Sequence, residues 1–291
     1  MTAHVKTISD LLRVKQWIKN LLLFAALLFT GNILNLPLLL KVITAFFLFC
    51  FAASSLYIVN DLKDAKEDRL HSQKKNRPIA SGAVGKEFAV TLAVFLALIS
   101  LSSAYFLNFF FFAVLLSYMV MTSLYTVYLK HLVILDVLTV AAGFVLRPVA
   151  GAVVIDAAIS PWLLVCTTLL ALFVILSKRK HELVTLTDAS KHRKTLAEYS
   201  PELLDQMISI VTSSTLIAYC LYTFSSSTGS NHPYMMFTIP FVLYGIFRYL
   251  YLLHKKNLGG APELIFLKDI PMIIDISLWV ISSAAIITFL K

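Results

Sequence analysis

The chain is dominated by apolar blocks of about twenty residues, which short charged stretches separate. A helix of about 20 residues crosses a bilayer core roughly 30 Å thick, whereas strands of a membrane barrel would be shorter and would alternate apolar with polar residues. The blocks show no such alternation. Charged residues make up 14% of the 291 residues, against about a quarter in a typical soluble domain. The sequence therefore predicts an all-α integral membrane protein.

Nine segments are long and apolar enough to be transmembrane helices, and together they form a single transmembrane domain over residues 1–291. Short turns join most neighbouring segments into antiparallel hairpins. Two connections are longer and charged, residues 61–86 and 178–202, and such connections between tight hairpins tend to carry function. The predicted spans are residues 17–36, 39–60, 87–106, 109–129, 131–155, 160–177, 203–225, 234–254 and 271–290.

Basic residues are distributed very unevenly between the two ends of the predicted bundle. With the N-terminus inside, the cytoplasmic segments contain 21 of the 25 Lys and Arg residues. The connections on the other side, near residues 30–36, 106–108, 156–160 and 226–233, contain none. This bias predicts a cytoplasmic N-terminus and places both long loops in the cytoplasm. It also accounts for the net charge of +9, so a nucleic-acid partner is not expected.

Acidic residues cluster where the second predicted span ends. If that helix continues, Asp61, Asp64 and Asp68 lie on one face, and Asn60 is one turn before Asp64. Like charges in this arrangement repel each other unless a cation binds. Carboxylate and amide oxygens suit Mg²⁺, which typically uses one or two carboxylates together with substrate phosphates. These four residues are the predicted metal ligands, and the three aspartates are the predicted catalytic residues. The alternative is a solvated helix end at which the carboxylates pair with Lys63, Lys66 and Arg69.

Several cations, amides and phenols at the same end are candidates for binding phosphate or sugar groups. For the lysines and arginines, the alternative is a purely topological role as anchors. The candidate substrate-binding residues are Lys19, Asn20, Arg77, Tyr125, Tyr128, Lys130, Arg147, Lys178, Arg179, Lys180 and His181.

Arg147 differs from the other candidates because it lies inside the fifth predicted span. By helix rise it is about 16 Å deeper than Asp136. A charged residue at the centre of a bilayer costs roughly 2.5–3.5 kcal/mol on insertion scales, so it normally faces a cavity or a partner. The sequence leaves open whether Arg147 binds a substrate or forms a structural pair, for example with Asp275.

The chain resembles the UbiA prenyltransferase superfamily in one motif above all, Asn60-Asp61-x-x-Asp64-x-x-x-Asp68 at the end of the second span. Over nearly the whole chain the other motifs resemble one branch, the polyprenyl-phosphate phosphoribosyltransferases. Those motifs are Arg13-x-x-Gln16-Trp17-x-Lys19-Asn20, Asp68-x-x-His71, Arg77-Pro78-Ile79-Ala80-Ser81-Gly82, Ile134-Leu135-Asp136-Val137, Gly143-Phe144-Val145-Leu146-Arg147, Ser160-Pro161-Trp162, Lys178-Arg179-Lys180-His181-Glu182-Leu183, Tyr199-Ser200-Pro201-Glu202 and Gly259-Gly260-Ala261-Pro262-Glu263.

The resemblance implies a UbiA-like bundle of nine helices in the bacterial plasma membrane, with an active site facing the cytoplasm. It implies transfer of 5-phosphoribose from phosphoribosyl pyrophosphate (PRPP) to a polyprenyl phosphate, with Mg²⁺ as cofactor and a role in cell-wall biogenesis. Ordinary superfamily members carry a second aspartate-rich motif after span six, where this chain has Lys178 to Glu182. One acidic and one basic site suit the pyrophosphate and the separate phosphate of PRPP.

Other functions remain open at this point. A conventional UbiA enzyme would join a prenyl diphosphate to an aromatic or other small acceptor. A transporter is expected to have broken helices at mid-membrane, and only Arg147 with Pro148 hints at them. A lipid-binding scaffold would leave the acidic cluster unexplained. The identity of the lipid and the oligomeric state are also open, and a homo-oligomer is one option.

Overall fold

Helices are the only regular elements in the computed structural model, which describes residues 3–70, 74–185, 194–256, 260 and 262–290. The α-helices are α1 (Ala3–Leu11), α2 (Ala25–Phe29), α3 (Leu36–Lys63), α4 (Ala65–Leu70), α5 (Lys86–Leu107), α6 (Phe109–Val127), α7 (Leu135–Val154), α8 (Pro161–Thr185), α9 (Pro201–Ser225), α10 (Ser227–Asn231), α11 (Ile239–Lys255), α12 (Pro262–Lys268) and α13 (Ile270–Phe289). Short 3-10 helices are Val14–Phe24, Lys74–Asn76, Leu129–His131, Lys194–Glu198 and Pro233–Thr238.

Eight of the nine predicted spans are helices that are long and apolar enough to cross a membrane. This confirms the all-α membrane architecture. Two of these helices continue beyond their predicted ends, because α3 runs to Lys63 and α8 runs to Thr185. Residues 178–185, which were predicted to begin a loop, are therefore helical.

The first predicted span, residues 17–36, is not a single α-helix. Residues Val14–Phe24 form a 3-10 helix that continues into α2 and ends at Phe29. A 3-10 helix rises about 2.0 Å per residue and an α-helix about 1.5 Å, so this segment extends about 30 Å with fewer residues than an α-helical span needs.

Helix α7 is the centre of the bundle. Half of the residues in its most apolar 18-residue stretch are buried, a larger share than in any other candidate span of the described residues. It packs against α6, α8, α3 and the 3-10 helix Val14–Phe24. The closest approach is at Gly151, where an added Cβ would lie 1.9 Å from the carbonyl oxygen of Leu23. The site depends on this arrangement, because α7 begins at the end of the bundle where α3 and α8 finish.

Gly151→Ala should destabilise the fold because the methyl group has no space beside the Leu23 backbone. Overpacking a dense interior typically costs about 1–3 kcal/mol, and a backbone neighbour cannot rotate away. The measurement is the thermal unfolding midpoint of the detergent-solubilised protein.

Gly143→Ala on the same helix is the matched control. Its Cβ would meet Met121 at 3.5 Å, an ordinary contact with the end of a flexible side chain. Equal unfolding midpoints for the two variants would contradict the close packing at Gly151.

Candidate functional site

The acidic motif lies at a break between two helices. Helix α3 ends at Lys63, Asp64 is its C-cap residue with φ −87° and ψ 4°, and α4 begins at Ala65. The shared face of Asp61, Asp64 and Asp68 was expected only if that helix continued, and the helix is interrupted at Asp64. The motif has two parts with different partners, Asp61 with Asp68 and Asn60 with Asp64.

Asp61 and Asp68 form the first part, and each is only 3% exposed. Nη1 of Arg77 donates to Asp61 Oδ1 at 2.9 Å and to Asp68 Oδ2 at 2.6 Å. Arg13 donates a second hydrogen bond to the same Asp61 oxygen. A buried carboxylate without a cation is strongly destabilising, so these guanidinium groups account for two carboxylates packed so closely.

Arg13 reaches this position through an unusual backbone conformation. Its φ of 51° is left-handed, and it stands where α1 ends and the 3-10 helix begins. The guanidinium also lies over the ring of Tyr57, 5.0 Å from the centroid. Sequence reasoning did not select Arg13 as a site residue. The available signal was its position at the head of the motif that ends in Lys19-Asn20.

Asn60 and Asp64 form the second part of the motif. Nδ2 of Asn60 donates to Asp64 Oδ2 at 2.9 Å, and Lys130 Nζ lies 3.8 Å from Asp64 Oδ1. Tyr125 is half-buried near the end of α6, and Tyr128, which follows α6, is largely exposed. This part is more open than the first, since the Asp64 side chain is 24% exposed.

A polar cavity of about 290 Å³ opens beside the Asp61–Asp68 part. Arg13 and Arg77 line this cavity and bind the carboxylates at the same time. The cavity therefore lies where the N-terminal segment, the first long loop and the end of α8 meet. The lining residues are Ser9, Asp10, Arg13, Val14, Lys15, Gln16, Arg77 and Lys178.

The four basic residues at the end of α8 do not act as one cluster. Successive side chains on a helix point about 100° apart, and Lys178 is the one of the four that lines the cavity. Arg179 is buried and bonds to Asp136 at 3.2 Å and Glu182 at 2.9 Å. Lys180 pairs with Asp205 at 2.6 Å.

The fourth residue, His181, lies on yet another side of α8. An added Cβ on Gly260 would lie 2.9 Å from its ring, so His181 faces the segment after α11. His71 of the predicted acidic motif lies outside the described residues.

Asp136 anchors a network that fixes Arg179. Its carboxylate is fully buried, with Arg179 on Oδ2 and the Tyr199 hydroxyl donating to Oδ1 at 3.0 Å. The same hydroxyl accepts a hydrogen bond from the Ile134 backbone N–H at 2.9 Å. Ile134 has φ 68°, an uncommon value for a β-branched residue. Burial raises the pKa of Tyr199 to about 12, so the phenol keeps its proton at neutral pH.

Arg147 and Asn20 meet inside the bundle, where they are 4% and 1% exposed. Nε of Arg147 donates to Asn20 Oδ1 at 2.7 Å, and Nη2 donates to the Tyr118 hydroxyl at 3.3 Å. The aromatic rings of Phe49, Tyr118 and Phe144 lie 5.0–5.3 Å from the guanidinium carbon. Cation–π contacts and neutral acceptors thus stabilise this charge.

The pairing of Arg147 with Asp275 that the sequence left open is not among these contacts. Asp275 instead faces Gly245 on α11, where an added Cβ would lie 3.0 Å from Oδ2. Lys19 is half-buried and does not line the polar cavity. Asn20 and Arg147 do not line the cavity either, whereas Arg77 and Lys178 do.

The model of the UbiA prenyltransferase family matches residues 20–268. The chain belongs to this family. Among its relatives, the decaprenyl-phosphate phosphoribosyltransferase of Mycolicibacterium smegmatis is 34% identical over 95% of this chain and 91% of that protein. The decaprenyl-phosphate phosphoribosyltransferase of Corynebacterium glutamicum is 33% identical over 89% of this chain and 80% of its own length.

Solved UbiA structures share the fold. A UbiA homolog from Archaeoglobus fulgidus, bound to GPP and Mg²⁺, aligns with a TM-score of 0.72 and 20% identity over 97% of this chain and 99% of that one. The resemblance stated from the motifs is thus confirmed at the level of family and fold.

The donor set of this UbiA chain is suitable for Mg²⁺. Within the described ranges, no three acidic, His or Cys side chains converge as a preformed cage. Mg²⁺ does not need one, because it usually takes one or two carboxylates and completes its shell with water and phosphate. Asp61 and Asp68 supply two such carboxylates around one guanidinium nitrogen. Nη1 of Arg77 therefore shows that a cationic group can contact both carboxylates at one position.

Arg179→Gln should lower stability sharply, because it leaves the buried Asp136 without its cation. Removing one member of a buried ion pair typically costs about 3–5 kcal/mol. Its neighbour offers a control, since Lys180→Gln breaks a pair with the exposed Asp205, which is worth about 0–1 kcal/mol. Thermal unfolding of both variants in detergent tests this, and the assignment fails if Lys180→Gln is the more damaging change.

Proposed function

We propose that this protein is a Mg²⁺-dependent polyprenyl-phosphate phosphoribosyltransferase that takes 5-phosphoribose from PRPP and releases pyrophosphate. The proposal is supported above all by the guanidinium groups of Arg13 and Arg77. They bind the carboxylates of the acidic site and also line the cationic cavity. A donor with a metal-bound pyrophosphate and a separate phosphate needs two such adjacent sites. The relatives named as decaprenyl-phosphate phosphoribosyltransferases support the same activity.

The donor's pyrophosphate belongs at the acidic site in this proposal. Asp61 and Asp68, with Asn60 and Asp64 beside them, would hold Mg²⁺, and the bound metal would neutralise charge on the departing pyrophosphate. Arg13 and Arg77 bind the two buried carboxylates and hold them close together. The same guanidinium groups are placed to donate hydrogen bonds to phosphate oxygens, because they also line the cavity.

The acceptor lipid approaches from the other side of the motif. Lys130 lies beside Asp64, and the exposed apolar side chains of Val59 and Val127 together with Tyr128 cover the neighbouring surface of α3 and α6. An apolar surface that leads to a lysine suits a phosphate with a prenyl tail. In this proposal Lys130 binds the acceptor phosphate, and Tyr125 or Tyr128 donates a hydrogen bond to phosphate or ribose.

The reaction forms one bond and breaks one. An oxygen of the lipid phosphate bonds to C1 of the ribose as the bond from C1 to the pyrophosphate oxygen breaks, and pyrophosphate leaves with the electron pair. The attacking phosphate is already anionic near pH 7, so no strong general base is required. Orientation of the two substrates and stabilisation of charge by the site supply the catalysis.

Asp64→Asn should abolish Mg²⁺-dependent transfer of labelled phosphoribose from PRPP to a polyprenyl phosphate. A neutral amide cannot stabilise the metal and pyrophosphate as a carboxylate does, and we expect a loss of at least about 100-fold in kcat. Purified protein with labelled PRPP, with and without Mg²⁺, provides the assay.

Asp156→Asn is the matched control for this assay. Asp156 is exposed beyond the far end of α7, and its left-handed φ of 53° suits asparagine. Full transfer by Asp64→Asn would refute the acidic site. Turnover of a prenyl diphosphate by the wild type, without PRPP, would instead favour a conventional prenyltransferase.

The proposed active site faces the cytoplasm. Lys75→Cys, in the exposed 3-10 helix near the acidic site, should then react with an impermeant maleimide in inverted vesicles but not in right-side-out vesicles. Asn231→Cys, which is exposed at the end of α10, should show the opposite pattern. The reverse result for both positions would invert the proposed orientation.

A further inference from the structure

The hydroxyl of Ser54 forms its hydrogen bonds outside its own helix. Ser54 is fully buried on α3, about two turns before Asp61. Its hydroxyl donates to the backbone carbonyl oxygen of Leu12 at 2.7 Å and accepts from Nε1 of Trp17 at 3.1 Å. Both partners belong to the N-terminal segment. Ser54 therefore ties α3 to the chain on either side of Arg13.

This pattern differs from that of other helical serines in the chain. A serine hydroxyl inside a helix commonly donates to a carbonyl oxygen one turn earlier in the same helix. Ser55, Ser100 and Ser117 do so, at distances of 2.6–2.9 Å. The Ser54 hydroxyl donates to another element instead. A carbonyl of α3 could have satisfied it, so the contact indicates a requirement of the N-terminal segment.

The N-terminal segment contains a strained turn between these two hydrogen bonds. Arg13 has φ 51° and ψ 48°, and its carbonyl oxygen accepts from the Gln16 N–H at 2.8 Å as the 3-10 helix begins. A left-handed conformation is uncommon for a non-glycine residue and persists only where surrounding contacts hold it. Ser54 holds the chain just before the turn, at Leu12, and shortly after it, at Trp17.

The direction of the Arg13 side chain depends on this turn. Its guanidinium group binds the buried Asp61 carboxylate and lies 5.0 Å from the centroid of the Tyr57 ring. A right-handed φ at Arg13 would rotate the side chain relative to α1, so both contacts require the left-handed backbone. The hydrogen bonds of Ser54 thus reach the acidic site through the backbone of Arg13.

We propose that Ser54 is a positioning residue for Arg13, and that it thereby aligns the guanidinium group with the phosphate groups of the donor. This inference rests on the proposed function, in which Arg13 donates hydrogen bonds to phosphate oxygens. It adds a residue that belongs neither to the acidic motif nor to the cavity lining. Ser54 is fully buried beneath the turn, so its effect on the donor is indirect.

Ser54→Ala removes both hydrogen bonds, and Ser55→Ala is the matched control. Ser55 is 2% exposed on the same helix, and its hydroxyl donates to the Ala52 carbonyl oxygen. Ser54→Ala should raise the KM for PRPP about threefold to tenfold and leave the KM for the lipid phosphate unchanged. Ser55→Ala should change neither value. Steady-state assays of the full-length protein in detergent, at a temperature where all variants are folded, measure both constants.

A double-mutant cycle distinguishes positioning from a general structural defect. If Ser54 acts through Arg13, adding Ser54→Ala to Arg13→Gln should change the KM for PRPP by less than about twofold beyond Arg13→Gln alone. Independent defects would instead multiply.

Hydrogen exchange tests the turn without any substrate. The amide hydrogens of residues 13–16 should exchange at least about threefold faster in Ser54→Ala than in the wild type or in Ser55→Ala, because the turn opens more often. Mass spectrometry of peptides that cover this segment measures the rates.

The inference is overturned if Ser54→Ala leaves either the exchange rates or the KM for PRPP unchanged, or if Ser55→Ala has the same effects. Multiplicative effects in the double-mutant cycle would also overturn it. Failure of the proposed function looks different, because the exchange difference between the two serine variants would persist while PRPP supports no transfer by the wild type.

Discussion

The burial of Asp61 and Asp68 at the end of a transmembrane helix is the constraint on which the rest of the site depends. Burying two carboxylate side chains that are only 3% exposed is costly unless cations pair with them. Arg77 and Arg13 supply those cations from parts of the chain that are distant in sequence. Their ion pairs bring the first long loop and the N-terminal segment onto the end of α3. The polar cavity forms where these two segments meet α8.

A second buried carboxylate organises the neighbouring elements in the same way. Asp136 holds Arg179 and Tyr199, and through Tyr199 it supports the left-handed backbone at Ile134. This network fixes the last turns of α8 against the start of α7. Lys178, one residue before Arg179, is thereby directed into the cavity. Arg179 therefore acts on the site through the position of its neighbour, and its own charge is neutralised.

Much of the fold and part of the site could be predicted from the sequence, because hydropathy and charge bias are local signals. Eight apolar segments became the expected helices. The first segment is equally apolar, but its residues Val14–Phe24 form a 3-10 helix that packs closely against Gly151. No local sequence pattern predicts this 3-10 helix. The partners of Asp64 and Arg13 escaped prediction for a related reason. Arg13 pairs with Asp61 and Lys130 with Asp64, residues far apart in the sequence, and helical periodicity does not encode such pairs.

The two-part acidic motif bears on how one fold serves different substrates. In this chain the Asp61–Asp68 part faces a polar cavity, and the Asn60–Asp64 part faces Lys130 and an apolar surface. In the proposed reaction, a water-soluble donor and a lipid-soluble acceptor meet at this one motif, and they arrive from different solvents. The two parts have different surroundings, because Asp61 and Asp68 share Arg77 beside the cavity and Asp64 lies beside Lys130. The different surroundings of these two parts are thus as important to the proposed chemistry as the carboxylates themselves.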